Sequence, residues 1–179
     1  MANYQWEVNL IESNDVNANC RPGGKMIVYT GILPVTQSED GLAVVMGHEV
    51  AHAVCHHGNE RISQTILLSL GEAGIIVGMR KKDPKVTAAV AAAFGGVGAL
   101  GILKYSRDHE SEADHVGLIL MARAGFDPRE AERFWVRMKQ QGGGGGPSWL
   151  STHPSHETRI KQIQEWIPEA MQYYHPRGG

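Results

Sequence analysis

Two imidazoles and a carboxylate lie close together in the segment Gly47-His48-Glu49-Val50-Ala51-His52. Side chains four residues apart stand one above the other on an α-helix, so His48 and His52 can reach one divalent metal ion together. Glu49 is rotated too far to be an easy third ligand, but it is close enough to act as a general base on a water at the metal. The alternative interpretation is a histidine pair on a solvated helix face.

A catalytic zinc site needs a third protein ligand and leaves the fourth position for water. The segment from Ser106 to Asp114 offers candidates on another predicted helix. We predict that Glu110 is the third ligand and that Asp114, one turn later, accepts the free ring N–H of a ligand histidine. Glu112 points about 200° away from Glu110 on a helix, which predicts a surface charge or a local ion pair.

The histidine pair requires a helix, and the sequence predicts one from about residue 38 to residue 57. Thr36-x-x-Glu39 is typical of a capping box, and apolar residues recur at helical spacing after it. Upstream, β-prone runs over residues 6–10, 16–20 and 26–30 predict three strands. The predicted fold class is α+β, mostly helical, with a small antiparallel sheet beside the active-site helix.

Two apolar stretches, residues 62–79 and 86–103, flank the charged run of residues 80–85. Their length is that of transmembrane helices. Small and polar residues lower their transfer energy, so a packed helical hairpin is predicted ahead of a membrane-spanning pair. Further helices are predicted over residues 105–124, from Asp127-Pro128 onward and over residues 156–166, and the five glycines at 142–146 predict a mobile loop.

Length and composition narrow the class of protein. With 179 residues, of which 42% are hydrophobic, the chain can form one core, so we predict a single domain over residues 1–179. A net charge of −2 with scattered cations argues against a nucleic-acid partner. Two cysteines are too few for a disulfide framework. The first residues lack a signal-peptide pattern, and we expect that an N-terminal leader or anchor is missing from this chain.

Several blocks resemble metallopeptidase family forty-eight, the gluzincins that include the CAAX prenyl protease, HtpX, the mitochondrial OMA protease and the BepA type. The blocks follow the family's order across residues 6 to 160: Asn17-Ala18 with Pro22-Gly23-Gly24-Lys25, Tyr29-Thr30-Gly31, the His48 to His52 motif, Ser106-Arg107 through Glu110 to Ala113-Asp114, and Ser151-Thr152-His153-Pro154 through Arg159-Ile160. The resemblance implies a zincin domain with endopeptidase activity and one Zn²⁺ per chain. The implied ligands are His48, His52 and Glu110, with Glu49 as the base and Asp114 behind the ligands.

The resemblance also implies roles for two residues that spacing alone does not indicate. In BepA-like members the histidine of the His-Pro block can occupy the fourth zinc position and hold the enzyme off, and the nearby arginine assists substrate binding. In this chain these residues are His153 and Arg159. Either side chain is expected to stabilise an oxyanion, His153 only after it has left the metal. The alternative for His153 is an ordinary loop histidine before a proline.

Because the two apolar stretches are predicted to form a packed hairpin, we expect the chain to lack the long transmembrane segments of the CAAX and HtpX branches, which favours a soluble or lipid-anchored bacterial branch. The implied localisation is the cell envelope, in the periplasm, with membrane association through the missing anchor. The implied partners are unfolded or misassembled envelope proteins, whose strands would add to the edge of the sheet. Two rival functions stay open: a non-haem iron oxygenase, which gives Glu49 no role, and a chaperone-like binding module with a zinc site capped by His153.

Overall fold

A computed structural model describes residues 4–21, 23–141, 147–153 and 158–177. Its elements are β1 (Glu7–Ile11), β2 (Ala18–Arg21), β3 (Lys25–Tyr29), a 3-10 turn (Thr30–Ile32), α1 (Leu33–Thr36), α2 (Glu39–Val54), α3 (His57–Gly78), α4 (Pro84–Arg123), α5 (Glu130–Gln140), α6 (Ser148–Thr152) and α7 (Arg159–Met171). The predicted α+β class, mostly helical with one small sheet, is confirmed. The predicted loop at residues 142–146 lies outside the described residues.

The chain divides into two compact units. The first contains residues 1–56 and 109–179, and the second contains residues 57–108. The first unit holds the sheet and the core, and the second is a hairpin made of α3 and the N-terminal part of α4. The prediction of one domain over the whole chain stays a prediction.

The sheet is mixed rather than antiparallel, because its strand order is β1-β3-β2. The third strand lies in the centre, where it pairs antiparallel with β2 and parallel with β1. Because the chain reverses direction after each strand, the sheet would be fully antiparallel only if β2 lay in the centre. The alternation of side chains along a strand shows which face is buried, but it does not show the order of the strands. Gly23 and Gly24 form the turn into β3 with φ near +90°, a conformation that favours glycine.

The second helix begins two residues later than the predicted capping box implies. Gln37 adopts a left-handed conformation that separates α1 from α2, and the Ser38 hydroxyl accepts a hydrogen bond from the Gly41 N–H at 3.0 Å. The hydroxyl of Thr36 instead donates to the Leu33 carbonyl inside α1. The N-cap is therefore Ser38, and the predicted capping box does not form in that register.

The core of the first unit packs the sheet against α2, α5 and α7. Its most buried large side chains are Met26, Ile32, Val45, Phe134, Trp135, Met138, Trp149 and Ile163. The apolar face predicted after Asp127-Pro128 is thus the face that α5 buries. The final helix is described from Arg159 and extends beyond the predicted end at residue 166, through Pro168 to Met171. Pro168 lacks the N–H that would bond to the carbonyl four residues earlier, and only three residues of helix follow it.

The second unit contains the two apolar stretches, and it pairs them as the predicted hairpin. Its second helix does not stop at residue 103, because α4 continues without a break to Arg123. No glycine or proline separates Leu103 from Tyr105, so nothing in the sequence interrupts the helix there. By length and composition α4 could cross a membrane, and none of its most apolar window is buried.

Candidate metal centre

The second helix aims two histidine side chains at the same point. His48 and His52 stand one turn apart, and their Nε2 atoms lie 3.0 Å from each other. His48 is only 2% exposed, while His52 is partly buried. The Nδ1 of His48 lies 2.9 Å from a carboxylate oxygen of Asp114. An ionised carboxylate accepts the Nδ1 proton, so the Nε2 of His48 carries a lone pair.

The fourth helix brings a carboxylate to the same point. The two oxygens of Glu110 lie 3.3 Å from the Nε2 of His48 and 3.3 Å from the Nε2 of His52. Asp114 follows one turn later and contacts His48 from behind, as their spacing predicts. Glu112 is exposed, as its position on the opposite face of the helix predicts.

A fourth ligand atom completes the group. The Nδ1 of His153, which follows α6, lies 3.2 Å from the Nε2 of His48 and 3.1 Å from a carboxylate oxygen of Glu110. Ligand atoms of His48, His52, Glu110 and His153 all lie within 4.8 Å of one another. His153 is therefore part of the cluster, and its partners distinguish it from an ordinary loop histidine.

The spacing of these atoms fits a tetrahedral metal ion. Nitrogen and oxygen ligands at about 2.0–2.1 Å from zinc occupy corners about 3.3–3.4 Å apart. Within the cluster the separations given above run from 3.0 to 3.3 Å. Two imidazole nitrogens that face each other repel when both carry lone pairs, and a cation between them removes that repulsion. Three imidazoles and one carboxylate are a donor set that zinc accepts.

Glu49 lies beside this group and is held at both oxygens. The Trp149 indole N–H donates to Oε1 at 2.9 Å, and the Cys20 backbone N–H donates to Oε2 at 3.0 Å. The Nε2 of His153 is 3.2 Å from Oε1. These contacts place the carboxylate of Glu49 next to the fourth ligand position, where a general base is required.

Arg159, the first residue of α7, lies behind Asp114 at the bottom of the site. Its Nε and Nη2 donate to the two oxygens of Asp114 at 2.6 and 2.7 Å, and its guanidinium stacks on the ring of Trp135 at 3.5 Å. The side chain is only 2% exposed. A guanidinium in this position orients Asp114 and thereby His48. The implied contribution of Arg159 to substrate binding stays a prediction.

The buried charges of the site are mutually stabilising. Burial alone would raise the pKa of Glu110, but contacts with His153, His48 and His52 hold that pKa far below its ordinary value. For Asp114 burial is likewise outweighed, mainly by the charge of Arg159, and the pKa is lowered. Burial would lower the pKa of His153, yet Glu110 and Glu49 raise it to about 9. The carboxylates therefore favour positive charge at the centre of the cluster.

The structure brings all seven predicted site residues together: His48, Glu49, His52, Glu110, Asp114, His153 and Arg159. Sequence reasoning missed Trp149 and the backbone of Cys20 as partners of Glu49. A buried indole requires an acceptor for its N–H, which is a general signal, but nothing in the sequence identifies Glu49 as that acceptor. Burial and the nearby Glu49 also raise the pKa of the Cys20 thiol to about 11.

The sequence of the chain is similar to those of known metallopeptidases. The peptidase family M48 profile covers residues 1–167. The mitochondrial metalloendopeptidase OMA1 of Schizosaccharomyces pombe is 40% identical over 96% of this chain and 49% of its own length. The corresponding human metalloendopeptidase OMA1 is 32% identical over 96% of this chain and 34% of its own length. The chain thus spans about half the length, or less, of these relatives.

Bacterial relatives are also similar but match with lower identity. A Vibrio cholerae protein, provisionally named as a beta-barrel assembly-enhancing protease, is 30% identical over 92% of this chain and 34% of its own length. Yeast, plant and vertebrate relatives carry the name of a mitochondrial protease. The expected bacterial branch is therefore not supported, and the predicted localisation in the bacterial envelope is wrong. Family resemblance alone does not determine localisation, because members of this family occur both in mitochondria and in bacteria.

The profile match over most of the chain, the 40% identity to one relative and the metal-binding geometry agree with one another. They confirm the predicted family, that of the M48 metallopeptidases. This chain belongs to peptidase family M48.

Proposed function

We propose that this domain is a zinc-dependent endopeptidase whose site is formed by His48, His52 and Glu110, with Glu49 as the general base. The single observation that carries the proposal is the near-tetrahedral group of ligand atoms with the Glu49 carboxylate beside its fourth position. Bound zinc would polarise the scissile carbonyl and make a nearby water more acidic. Imidazole and carboxylate ligands, with no thiolate, suit zinc in a hydrolase.

Several residues of the chain have distinct roles in the proposed hydrolysis. Glu49 accepts a proton from the attacking water and passes it to the leaving amine. Trp149 and the Cys20 backbone fix both oxygens of Glu49, so the base does not have to be ordered in each turnover. Asp114 keeps the Nδ1 proton on His48, and Arg159 keeps Asp114 ionised.

His153 is proposed to inhibit the domain by occupying the fourth ligand position. Its Nδ1 contacts His48 and Glu110, and its Nε2 contacts Glu49, so it fills the space that substrate and water require. Release of His153 would open that position and would leave an imidazole nearby for the developing oxyanion. Arg159 is buried behind Asp114, so His153 is the better candidate for this second role.

We propose that a polypeptide substrate pairs with the outer edge of β2. In an antiparallel strand the backbone groups alternate in direction, and the Cys20 N–H points away from β3 toward Glu49. An extended peptide added to this edge would run past the base and would be held by main-chain hydrogen bonds. Such pairing makes few demands on side chains, which suits unfolded or misassembled proteins. The names of the most similar relatives favour a mitochondrial compartment.

Replacement of Glu49 by Gln tests the proposed activity. The amide cannot accept the proton from water, so cleavage of casein or an unstructured peptide should fall by at least about a hundredfold. Zinc bound per chain, measured by elemental analysis after dialysis, should stay at one. Equal cleavage by both proteins would contradict the role of the base, and purified protein that holds iron instead of zinc would favour an oxygenase.

Replacement of His153 by Ala tests the inhibitory role. With the fourth position open, kcat/KM for the same peptide should rise, while the zinc content remains one per chain. Unchanged or lower activity with zinc still bound would contradict inhibition and would favour a supporting role. Glu49→Gln in the His153→Ala background should abolish the increase.

The alternative is a protein-binding module whose zinc site is permanently capped, and the position of His153 favours it. A permanently closed site holds four protein ligands, as structural zinc sites do. In that case neither the Glu49→Gln nor the His153→Ala protein would differ from the unaltered chain in cleavage. Binding of unfolded substrate would then persist without turnover.

A further inference from the structure

The helical hairpin of the second unit exposes large apolar side chains. On α3, Leu67, Leu70 and Val77 are 64–72% exposed, and on α4, Val97, Leu100 and Leu103 are 59–73% exposed. Contiguous apolar surface of this kind is rare on a protein surrounded only by water. At about 100° per residue, the exposed apolar positions cover about half of each helix. The outer surface of the pair is therefore mostly apolar, and the exposed polar side chains between residues 62 and 79 are the hydroxyls of Ser63, Thr65 and Ser69.

Glycines lie at the contact between the two helices. A Cβ atom added to Gly71 would lie 2.5 Å from the ring of Phe94, and one added to Gly98 would lie 2.2 Å from a methyl group of Leu68. At each of these points a large side chain of one helix rests directly on a glycine of the other. Small residues are enriched at helix contacts in lipid, because apolar side chains gain little by association there and close packing supplies the attraction.

The hydroxyl groups of the hairpin are satisfied within it. Ser63, Thr65 and Ser69 each donate to the backbone carbonyl four residues earlier at 2.8–3.0 Å. Thr87 contacts the carbonyls of Met79 and Asp83. Back-bonded hydroxyls need no water, so these residues are compatible with a hydrocarbon environment.

Length and charge indicate how the hairpin would lie in a membrane. Residues 86–103 contain no charged side chain, and 18 helical residues span about 27 Å, close to the roughly 30 Å of a bilayer core. Lys104 and Arg61 mark one end of the apolar region. The turn at the other end, residues 80–85, carries four cations and one aspartate. This basic turn complements anionic lipid headgroups.

We propose that the hairpin inserts into a lipid bilayer, with its apolar helices in the hydrocarbon and its basic turn among anionic phosphates. A protein partner would require one apolar stripe opposite a charged or strongly polar face, whereas here exposed apolar residues cover about half of each helix and none of the other exposed residues in 62–79 or 86–103 is charged. Glu72 is the single charged residue between Ile62 and Met79, and its carboxylate lies against Gly95, on the side that faces α4. That position directs it away from lipid, as intramembrane carboxylates require. This inference does not depend on peptidase activity.

Flotation of the full chain with vesicles tests the proposal. Protein purified in mild detergent is reconstituted with phosphatidylcholine alone or with added phosphatidylglycerol, and it should float with both and resist extraction by alkaline carbonate. The double substitution Val97→Asp with Leu100→Asp should reduce the floated fraction at least a hundredfold, because central carboxylates are costly in a bilayer. Leu67→Asp tests α3 independently. Val136→Asp, at a 40% exposed position on α5, is the matched control and should float normally.

A variant of the basic turn tests whether its charges contribute to membrane binding. Lys81→Gln with Lys82→Gln should lower partition into phosphatidylglycerol vesicles at low salt by about thirtyfold, with little change for phosphatidylcholine. Circular dichroism should show equal helicity for all variants, since the altered side chains are exposed. The proposal is overturned if the chain stays at the bottom of every gradient or if the aspartate variants float as well as the unaltered chain. A discrete dimer in detergent-free buffer, dissociated by Val97→Asp with Leu100→Asp, would instead assign this face to a second copy.

Discussion

The general base Glu49 depends on a side chain that lies a hundred residues later in the sequence. The Trp149 indole donates to Glu49 and also stacks on Trp135 in the core. The core therefore fixes the position of the base. Burial tends to raise the pKa of Glu49, but its contacts with His153, the charge of His48 and the hydrogen bond from Trp149 lower it. An ionised carboxylate is the form that can accept a proton.

Replacement of Trp149 by Phe should lower kcat more than it changes KM. A hydrogen bond to a charged group contributes about 1.5–3 kcal/mol, so loss of the indole donor should reduce kcat by about tenfold or more. Steady-state kinetics on a peptide substrate and the zinc content of the purified variant measure the effect. Trp135→Phe is the control for lost packing. If both variants lose equal activity and equal thermal stability, Trp149 has only a packing role.

At the scale of elements, the two ligand-bearing helices approach each other at a pair of glycines. A Cβ atom on Gly117 would lie 2.9 Å from the backbone nitrogen of His48, and one on Gly47 would lie 2.8 Å from the Gly117 carbonyl oxygen. Both contacts involve backbone atoms, which have little room to shift. Because Gly47 and Gly117 have no side chains, α2 and α4 can lie close together, and this brings His48 near Glu110.

Gly117→Ala should lower the free energy of unfolding by about 1–3 kcal/mol, as overpacking does. It should also weaken zinc binding, because the methyl group moves α2 away from α4. Urea denaturation of the metal-free protein and competition with a chelating dye measure the two effects separately. Gly101→Ala is the matched control, since nothing lies within 4 Å of its added Cβ. That substitution should be neutral or stabilising by about 0.5–1 kcal/mol.

Local rules predicted the elements that carry the site, but not the way in which they pair. Helical facing identified Glu110 and Asp114 and placed Glu112 on the surface, because these relations lie within one or two turns of one helix. The parallel pairing of β1 with β3 and the bond from Trp149 to Glu49 join distant segments. Such contacts depend on packing, which one sequence does not reveal. The burial of Arg159 against Trp135 was missed for the same reason.

At the scale of the whole molecule, metal binding should contribute to stability as well as to chemistry. Among the described residues, the site gathers the buried carboxylates of Glu49, Glu110 and Asp114 around one buried guanidinium, and a cation at its centre would offset the excess of negative charge. A ligand that binds only the folded state adds about 2.7 kcal/mol when its concentration is a hundred times Kd. Folding and metal binding are therefore expected to be coupled.

Removal of metal with EDTA should lower Tm by about 5–10 °C, and added zinc should restore it. Differential scanning calorimetry at constant pH measures the shift. The double variant His48→Ala with His52→Ala serves as the control and should show one Tm under both conditions. A zinc-dependent shift of equal size in that variant would indicate binding elsewhere on the chain.

The hydrogen bonds from Arg159 to Asp114 complete the site with a residue from α7. During synthesis on the ribosome, both histidines of α2 emerge more than a hundred residues before this guanidinium does. Until α7 docks, Asp114 lacks the guanidinium that orients it, and the ring of His48 is not held in position. A nascent chain is thus expected to have no peptidase activity before residues 159–171 have folded onto the site.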